Sequence, residues 1–525
     1  MLNEIKRMPD FARIITDDAS TRMDKKADGF SYSDVRLTID PLFRITVTAD
    51  TTAVKMISLR YNGSWPAGTR FMGDTLERSY GALAWRGLEA DNNIICWYFL
   101  ASCGSHTDGY GVKVRPDAIV YWTVDGEGLT LWLDMRNGGC GTIFNNRVIT
   151  AAELVTAESN DGKAFALQQR LASLMCTDPF LPARPVYGSN NWCYAYGNSS
   201  AKQILVDASI VREAADGLKN RPFIVIDDGW QELARTGKGA QGRPYERGNS
   251  LFPDMAGLAA DMKAMDVRPG IWMRPLRTGE RYINKSLLLD RDKEFLDPSL
   301  PETLELVADD ISRISGWGYE LIKYDFIERD VLGDYFRTLR LNEWHFKNRN
   351  ITNAEIMKNI SRVIYQNARG AELIGCNVAG HLAAGYISIH RSGDDTSGHS
   401  YSRSVKMGIN CLAFRLAQND RLFKIDADCV CITPYVPLDK TFDILQLYSL
   451  ISAPLFVSVQ PDMLPGNSTI MEKLKTAFAA ASVQCSHAEP LDWFDNSLPE
   501  KYLIDGKIYE YKWACEDGWE NLYMS

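Results

Sequence analysis

Long hydrophobic runs are missing from this chain. No window of about 18 apolar residues occurs, so no membrane-spanning helix is expected. The opening Met1-Leu2-Asn3-Glu4-Ile5-Lys6-Arg7-Met8-Pro9 has no apolar core of a signal peptide. Blocks of basic residues are also absent, and the net charge is −9, which argues against nucleic acid and anionic membranes as partners. Histidine is scarce, with six in 525 residues, and His381 and His390 are too far apart for an i,i+4 metal pair. His390 is expected to be structural, because its neighbour Arg391 takes the other face of a strand. The eleven cysteines contain no CxxC pair, and Cys429 and Cys431 flank a single residue, a poor spacing for zinc. An odd, unpatterned set is expected to be free buried thiols in a reducing compartment. The expected location is cytoplasmic, or periplasmic or secreted had a signal peptide been removed. No glycine-rich phosphate loop, internal repeat or low-complexity run stands out, and no cofactor or metal is expected.

What is present is a chain too long for one core, so two or three domains are expected. Aromatics reach 11%, with 13 Trp and 23 Tyr, residues whose faces stack on the C–H face of a pyranose. Residues 1–180 read as a β-sandwich with a linker helix. Short strand-like runs such as Val54–Tyr61, Ala118–Val124 and Leu129–Asp134 are separated by turn signals such as Asp125-Gly126, and Gly162–Cys176 is helical. From Pro185 the rhythm changes to short apolar strands alternating with amphipathic helices. The strands are Pro185–Trp192, Phe223–Trp230, Arg268–Pro275, Tyr319–Phe326, Ala371–Val378, Tyr386–Arg391, Leu422–Val430 and Ala453–Val459. Eight such strands predict a (β/α)8 barrel over 181–485. About seven residues join strands five and six, too few for a full crossover helix. Residues 486–525 read as a short C-terminal β region. The polar, glycine-rich Glu232–Phe252 follows a strand end and is expected to form part of the rim or a lid.

Reactive side chains of such barrels come from the C-terminal ends of the strands. Strand one ends in Trp192, strand two in Asp227-Asp228-Gly229-Trp230, and strand three in Trp272. Strand four ends in Lys323-Tyr324-Asp325, strand five in Cys376-Asn377, and strand six in Arg391-Ser392-Gly393-Asp394-Asp395. Lys323 and Asp325 are two apart, so alternation points both to one side, where the lysine is expected to keep the carboxylate ionised. The alternative is a salt bridge capping a core strand. Tryptophans and carboxylates without a histidine pair favour a neutral polyhydroxy substrate. Two carboxylates suffice for glycoside hydrolysis: Asp325 as nucleophile, and Asp395 or Asp394 as acid/base with a raised pKa.

These motifs, in this order, resemble the clan of α-galactosidases, glycoside hydrolase families 36 and 27, with the raffinose synthases. Ile226-Asp227-Asp228-Gly229-Trp230, Gly270-Ile271-Trp272, Lys323-Tyr324-Asp325, Cys376-Asn377 and Arg391-x-x-x-Asp395 match its signatures. The resemblance implies Asp325 as nucleophile and Asp395 as acid/base. It implies that Asp227 and Asp228 hold sugar 4- and 6-hydroxyls, and that the Cys376 turn approaches the 2-hydroxyl. Trp192, Trp230, Trp272, Lys323, Asn377, Arg391 and Asp394 complete the expected binding set. After Trp272 the chain departs from the family's acidic run, having Met273-Arg274-Pro275-Leu276. The expected activity is retaining hydrolysis of terminal α-D-galactosides of oligosaccharides. The alternatives are a transglycosylase, a clan enzyme for N-acetylgalactosamine or L-arabinopyranose, a metal-dependent barrel enzyme using Asp227, Asp325 and Asp395, and a non-catalytic sugar binder. The expected partner is an oligosaccharide or glycoside substrate, and the sequence leaves homo-oligomer formation open.

Overall fold

The computed structural model describes residues 5, 7–88, 94–234, 242–333, 344–483 and 487–514. The N-terminal region forms a 13-stranded antiparallel sheet. Twelve of its strands follow one hydrogen-bonded path, and Arg70–Asp74 pairs beside that path with Ile95–Cys103. The long strand Ile149–Ser159 pairs at its start with Arg44–Thr48 and at its end with His106–Val112, past a bulge at Thr150/Ala152. A bulge increases local twist and lets one strand serve two layers. The side chains of Trp97, Phe99, Tyr110 and Trp122 fill the interior.

The second sheet has nine parallel strands in a barrel-like order. All eight expected strands appear, each shorter than its apolar run: Tyr187–Asn190, Phe223–Ile226, Arg268–Met273, Leu321–Tyr324, Glu372–Gly375, Ile389–Arg391, Lys424–Asp426 and Leu455–Val459. The ninth is Val430–Ile432, so strand seven is broken at residues 427–429. Its first half pairs with strand six and its second with strand eight. The sheet's two ends are therefore neighbours in the chain. Helices follow as expected at Ala201–Ala214, Met255–Ala264, Pro301–Gly316, Asn353–Asn367 and Leu438–Leu450, and a further one at Ser468–Ala481 was not anticipated. Strands five and six are joined only through the single turn Gly380–Ala383. The expected helix Tyr401–Ala417 is broken by a π turn at Val405–Asn410. No helix among the described residues is long and apolar enough to cross a membrane.

Alternation along the strands decides which side chains face inward. Phe223, Val225, Leu321, Ile374, Ile389 and Phe456 form one buried cluster, whereas Ile224, Ile226, Ile322, Leu373 and Val457 join the larger core. Stepping by two from the inner set leads to Asp227, Lys323, Asp325, Cys376 and Arg391. Two cysteines of this region depart from the expected free thiols: Cys193 and Cys431, 238 positions apart, are joined in a disulfide. That pairing depends on strand one lying near strand seven, which no local spacing reveals. Three antiparallel strands, Ala488–Pro490, Lys501–Ile504 and Lys507–Glu510, form the last sheet.

Candidate active site

The carboxylate at the end of strand two is held from three sides. Asn190 Nδ2 donates to Asp227 Oδ2 at 2.6 Å, Lys323 Nζ donates to the same oxygen at 2.7 Å, and the Asp228 N–H donates to Asp227 Oδ1 at 2.9 Å. This corrects the expectation for Lys323. Its ion pair is with Asp227, not with Asp325. The reason is barrel geometry: inward side chains of alternate strands share a layer, so strand four meets strand two across strand three. Burial acts to lower the Lys323 pKa, but the Asp227 charge outweighs it and holds the pKa well above the usual value. Both partners are less than a tenth exposed. Replacing Lys323 by methionine strands a buried carboxylate. The expected loss of stability is about 3–5 kcal/mol, measured by urea unfolding. An unchanged midpoint would show that the pair stabilises nothing.

Asp325 stands just past the end of strand four, 7% exposed. Trp272 Nε1 donates to its Oδ2 at 3.2 Å and the Phe326 N–H to its Oδ1 at 2.7 Å. Phe326 takes a left-handed backbone (φ 65°), which turns the chain away and leaves the carboxylate at the strand end. Beside it, burial pushes the Asp228 carboxyl up to about 6. The charges of Asp227 and Asp325 add to this, against the hydrogen bond from Gln231 Nε2 at 2.6 Å.

The second carboxylate group lies after strand six. Arg391, 1% exposed, reaches Asp395 Oδ1 at 3.1 Å and Asp428 Oδ2 at 3.0 Å. Arg78 also enters here, a residue the sequence reading did not single out. It lies 3.4 Å from Asp395 Oδ1 and 2.8 Å from Asp394 Oδ1. It comes from the N-terminal region, on a loop docked by backbone bonds: Ser79 N–H to the Ser392 carbonyl, and Asp394 N–H to the Ser79 carbonyl. Gly393 sits between these bonds, and a Cβ there would lie 2.1 Å from the Met407 carbonyl oxygen. Arg415 fastens the loop, donating to Asp74 Oδ1 and Thr75 Oγ1 at 2.6 Å and to the Ser392 carbonyl at 2.7 Å. Burial pushes the Asp395 carboxyl up, but Arg391, Arg78 and Lys323 together hold it down at about 2. The raised pKa expected of a proton donor is thus absent in this state. Asp394 is closed in by Arg78 and by Arg403 Nη2 at 2.5 Å, with its side chain 16% exposed against 39% for Asp395.

The other predicted residues divide. Trp192 is half-buried just past strand one, edge-on to Tyr196 at 5.5 Å. Trp230 is fully buried, stacked on Tyr245 at 5.5 Å and donating to the Trp272 carbonyl, so it supports the floor and offers no face to a sugar. Trp272 is 2% exposed and acts through its N–H on Asp325. The Cys376 thiol is buried 3.7 Å from Arg391 Nη1 and 3.8 Å from Arg78 Nη1, and burial with the Asp325 charge pushes its pKa far up. Asn377 has a left-handed backbone (φ 52°), and its buried Oδ1 has no hydrogen-bond partner among the described residues. His390 is a core residue as expected, with its pKa pushed down to about 3 by burial and by Arg415. Arg274, where the family's acidic run is missing, is met by Asp330, with Nε and Nη2 donating at 2.9 and 2.6 Å. Of the expected rim at 232–252, residues 235–241 lie outside those described, and Tyr245 is packed inside rather than at an edge. A cavity of about 610 Å³ opens beside the site, with Arg78, Arg274, Glu328, Asp330 and Asn377 in its wall.

No family model matches the chain, and no curated protein matches it. Solved structures do. The α-galactosidase TtGalA of Thermus thermophilus, in complex with p-nitrophenyl α-D-galactopyranoside, is 15% identical with a TM-score of 0.60, over 95% of this chain and 99% of that one. The family 36 α-galactosidase AgaA of Geobacillus stearothermophilus, in complex with stachyose, is 12% identical with a TM-score of 0.53, over 90% of this chain and 75% of that one. The α-galactosidase of Lactobacillus brevis is 12% identical with a TM-score of 0.54, over 90% and 73%. The barrel whose strands two, four and six end in Asp227, Asp325 and Asp395 therefore belongs to a chain with the fold of the glycoside hydrolase family 36 α-galactosidases.

Proposed function

We propose that this protein is a retaining α-glycosidase that hydrolyses terminal α-D-galactosides. The observation that carries this reading is the delivery of two carboxylates to one end of the barrel, Asp325 just past strand four and Asp395 just past strand six, the strands on either side of strand five. Asp325, buried and fixed by two N–H donors, is suited to attack an anomeric carbon. Asp395, the more open of the two acids after strand six, is suited to protonate the leaving oxygen. A covalent β-galactosyl-enzyme then forms, Asp395 takes a proton from water, and the water oxygen replaces Asp325 at the anomeric carbon with retention. For the first step Asp395 must carry a proton, so its guanidinium neighbours must yield when substrate enters. Each has another partner to keep: Asp428 for Arg391, and Asp394 for Arg78. Asn377 Oδ1, which has no partner among the described residues, is an acceptor suited to a sugar hydroxyl. Sugar-bound complexes of the fold relatives TtGalA and AgaA support the substrate class.

The test is a panel of aryl α- and β-glycosides, with the first-formed anomer followed by NMR. α-Galactose is expected as the initial product from an aryl α-galactoside. Turnover confined to β-glycosides, or initial β-galactose, would refute the proposal.

A further inference from the structure

Two buried groups beside the site are left unmet, and they are neighbours. Arg78 Nε and Glu77 Oε2 have no hydrogen-bond partner among the described residues. They lie 3.8 Å apart, about 1 Å more than a charge-assisted hydrogen bond. Their side chains are 11% and 9% exposed, and both residues stand in the wall of the cavity of about 610 Å³. A buried donor and a buried acceptor are costly to leave unmade. A donor and an acceptor that miss each other by so little mark a contact that a second state of the site completes.

The two differ in how firmly they are held. Glu77 is pinned: the Tyr80 hydroxyl donates to its Oε1 at 2.5 Å, Thr75 Oγ1 donates to its carbonyl at 3.1 Å, and Arg415 donates to the same carbonyl. The Arg78 guanidinium is held closely at one corner. Its Nη2 meets Asp394 Oδ1 at 2.8 Å. Its Nη1 lies 3.4 Å from Asp395 Oδ1 and 3.8 Å from the Cys376 sulfur, both loose contacts. A guanidinium is a rigid plane, and its Nε and Nη1 hydrogens point to different sides. A swing about the Asp394 contact therefore closes the Nε gap as it opens the Nη1 one.

We propose that Glu77 is a positioning residue that draws Arg78 off Asp395 once substrate occupies the cavity, leaving Asp395 free to carry the proton for the leaving oxygen. The inference rests on the function proposed above, which needs that proton. Of the three cations that act on Asp395, Arg391 is tied to Asp428 at 3.0 Å and Lys323 to Asp227 at 2.7 Å, so Arg78 has the loosest hold. Burial pushes the Glu77 carboxyl up, against the charges of Arg78 and Arg415 and the bond from Tyr80. Asp325 and the Cys376 thiol also face the Arg78 guanidinium, and Arg403 holds Asp394 from the far side. Glu77 and Asp395 thus compete for one guanidinium. As Arg78 pairs with Glu77, any proton on Glu77 leaves to solvent, and Asp395 takes one up. Substrate favours that state because it expels water from the cavity wall, where unlike charges then attract more strongly.

The test is the pH dependence of kcat for stachyose, whose leaving alcohol needs a proton, beside p-nitrophenyl α-D-galactopyranoside, whose phenol needs one far less. The alkaline limb for stachyose reports the acid within the complex. Glutamine at position 77 imitates the protonated carboxyl and gives Arg78 no charge to turn to. In Glu77→Gln that limb should move down by about 1–3 pH units, the effect of one close cation on a carboxyl. The aryl substrate should show a smaller shift. Tyr80 is 50% exposed, so Tyr80→Phe leaves packing alone while removing the donor to Glu77. Its limb should move the same way by less. A limb that stays in place in both variants, or an equal loss on the two substrates, would overturn the role of Glu77 alone. No turnover of either substrate by the unsubstituted protein would overturn the proposed function and this inference with it.

Discussion

The Asp325→Asn protein is expected to fold normally and to lose hydrolysis of an aryl α-galactoside by on the order of 10⁴-fold in kcat. Asparagine keeps the size of the side chain and can still accept the Phe326 N–H through its carbonyl oxygen. Its amide nitrogen would then face Trp272 Nε1, another donor, so one hydrogen bond is lost. That costs about 1 kcal/mol, a small part of the stability of a chain this size. The charge that attacks carbon is gone altogether. Calorimetric unfolding beside the rate measurement separates the two effects. A folded variant that turns over at the original rate would remove Asp325 from the reaction.

Asp395→Asn should show a different signature. A general acid contributes about 10²–10⁴-fold, and the loss should follow the leaving group: large for stachyose, whose leaving alcohol needs a proton, and small for an aryl galactoside with an acidic phenol. An equal loss on both substrates would argue against Asp395 as the acid. Stability should respond to pH as well. The folded carboxyl sits at about 2, below its ordinary 3.8, because Arg391 and Arg78 together outweigh burial. A depressed pKa contributes stability above about pH 4, and that contribution fades as pH falls toward 2. The asparagine variant lacks this dependence. The stability gap between the two proteins should therefore be wider at pH 7 than at pH 3, and a gap unchanged across that range would mean that the guanidinium contacts have no thermodynamic weight. The side chain is 39% exposed, so solvent screening keeps the gap small.

Residues close in sequence were the legible ones. The barrel strands could be read because each is a short apolar run between amphipathic helices, and Phe223–Ile226 or Leu321–Tyr324 have little other use for so many buried side chains. Asp227, Asp325 and Asp395 could be picked out because a carboxylate ending such a run is costly unless it serves something. Less regular strands escaped. His106–Val112 contains Asp108, Gly109 and Gly111, which hide its alternation, although six of its seven positions are buried. The π turn inside Tyr401–Ala417 gave no warning either, since its residues read as an ordinary amphipathic helix.

Pattern along the chain thus carries strand identity, inward-facing parity and the candidate carboxylates, because parity has a period of two residues and needs no distant partner. Partner choice has no such local rule. Lys323 belongs to Asp227, 96 positions away, because barrel layers join alternate strands. Arg78 reaches Asp394 and Asp395 across more than 300 positions. Asp395 is therefore a carboxylate held ionised rather than one primed with a proton. Trp230 matched a sugar-binding signature and yet lies under Tyr245 in the floor, whereas Tyr196, His399 and Tyr435 matched nothing and stand in water. Electrostatic environment and solvent exposure are sums over neighbours brought together by folding, so only the packed chain assigns them.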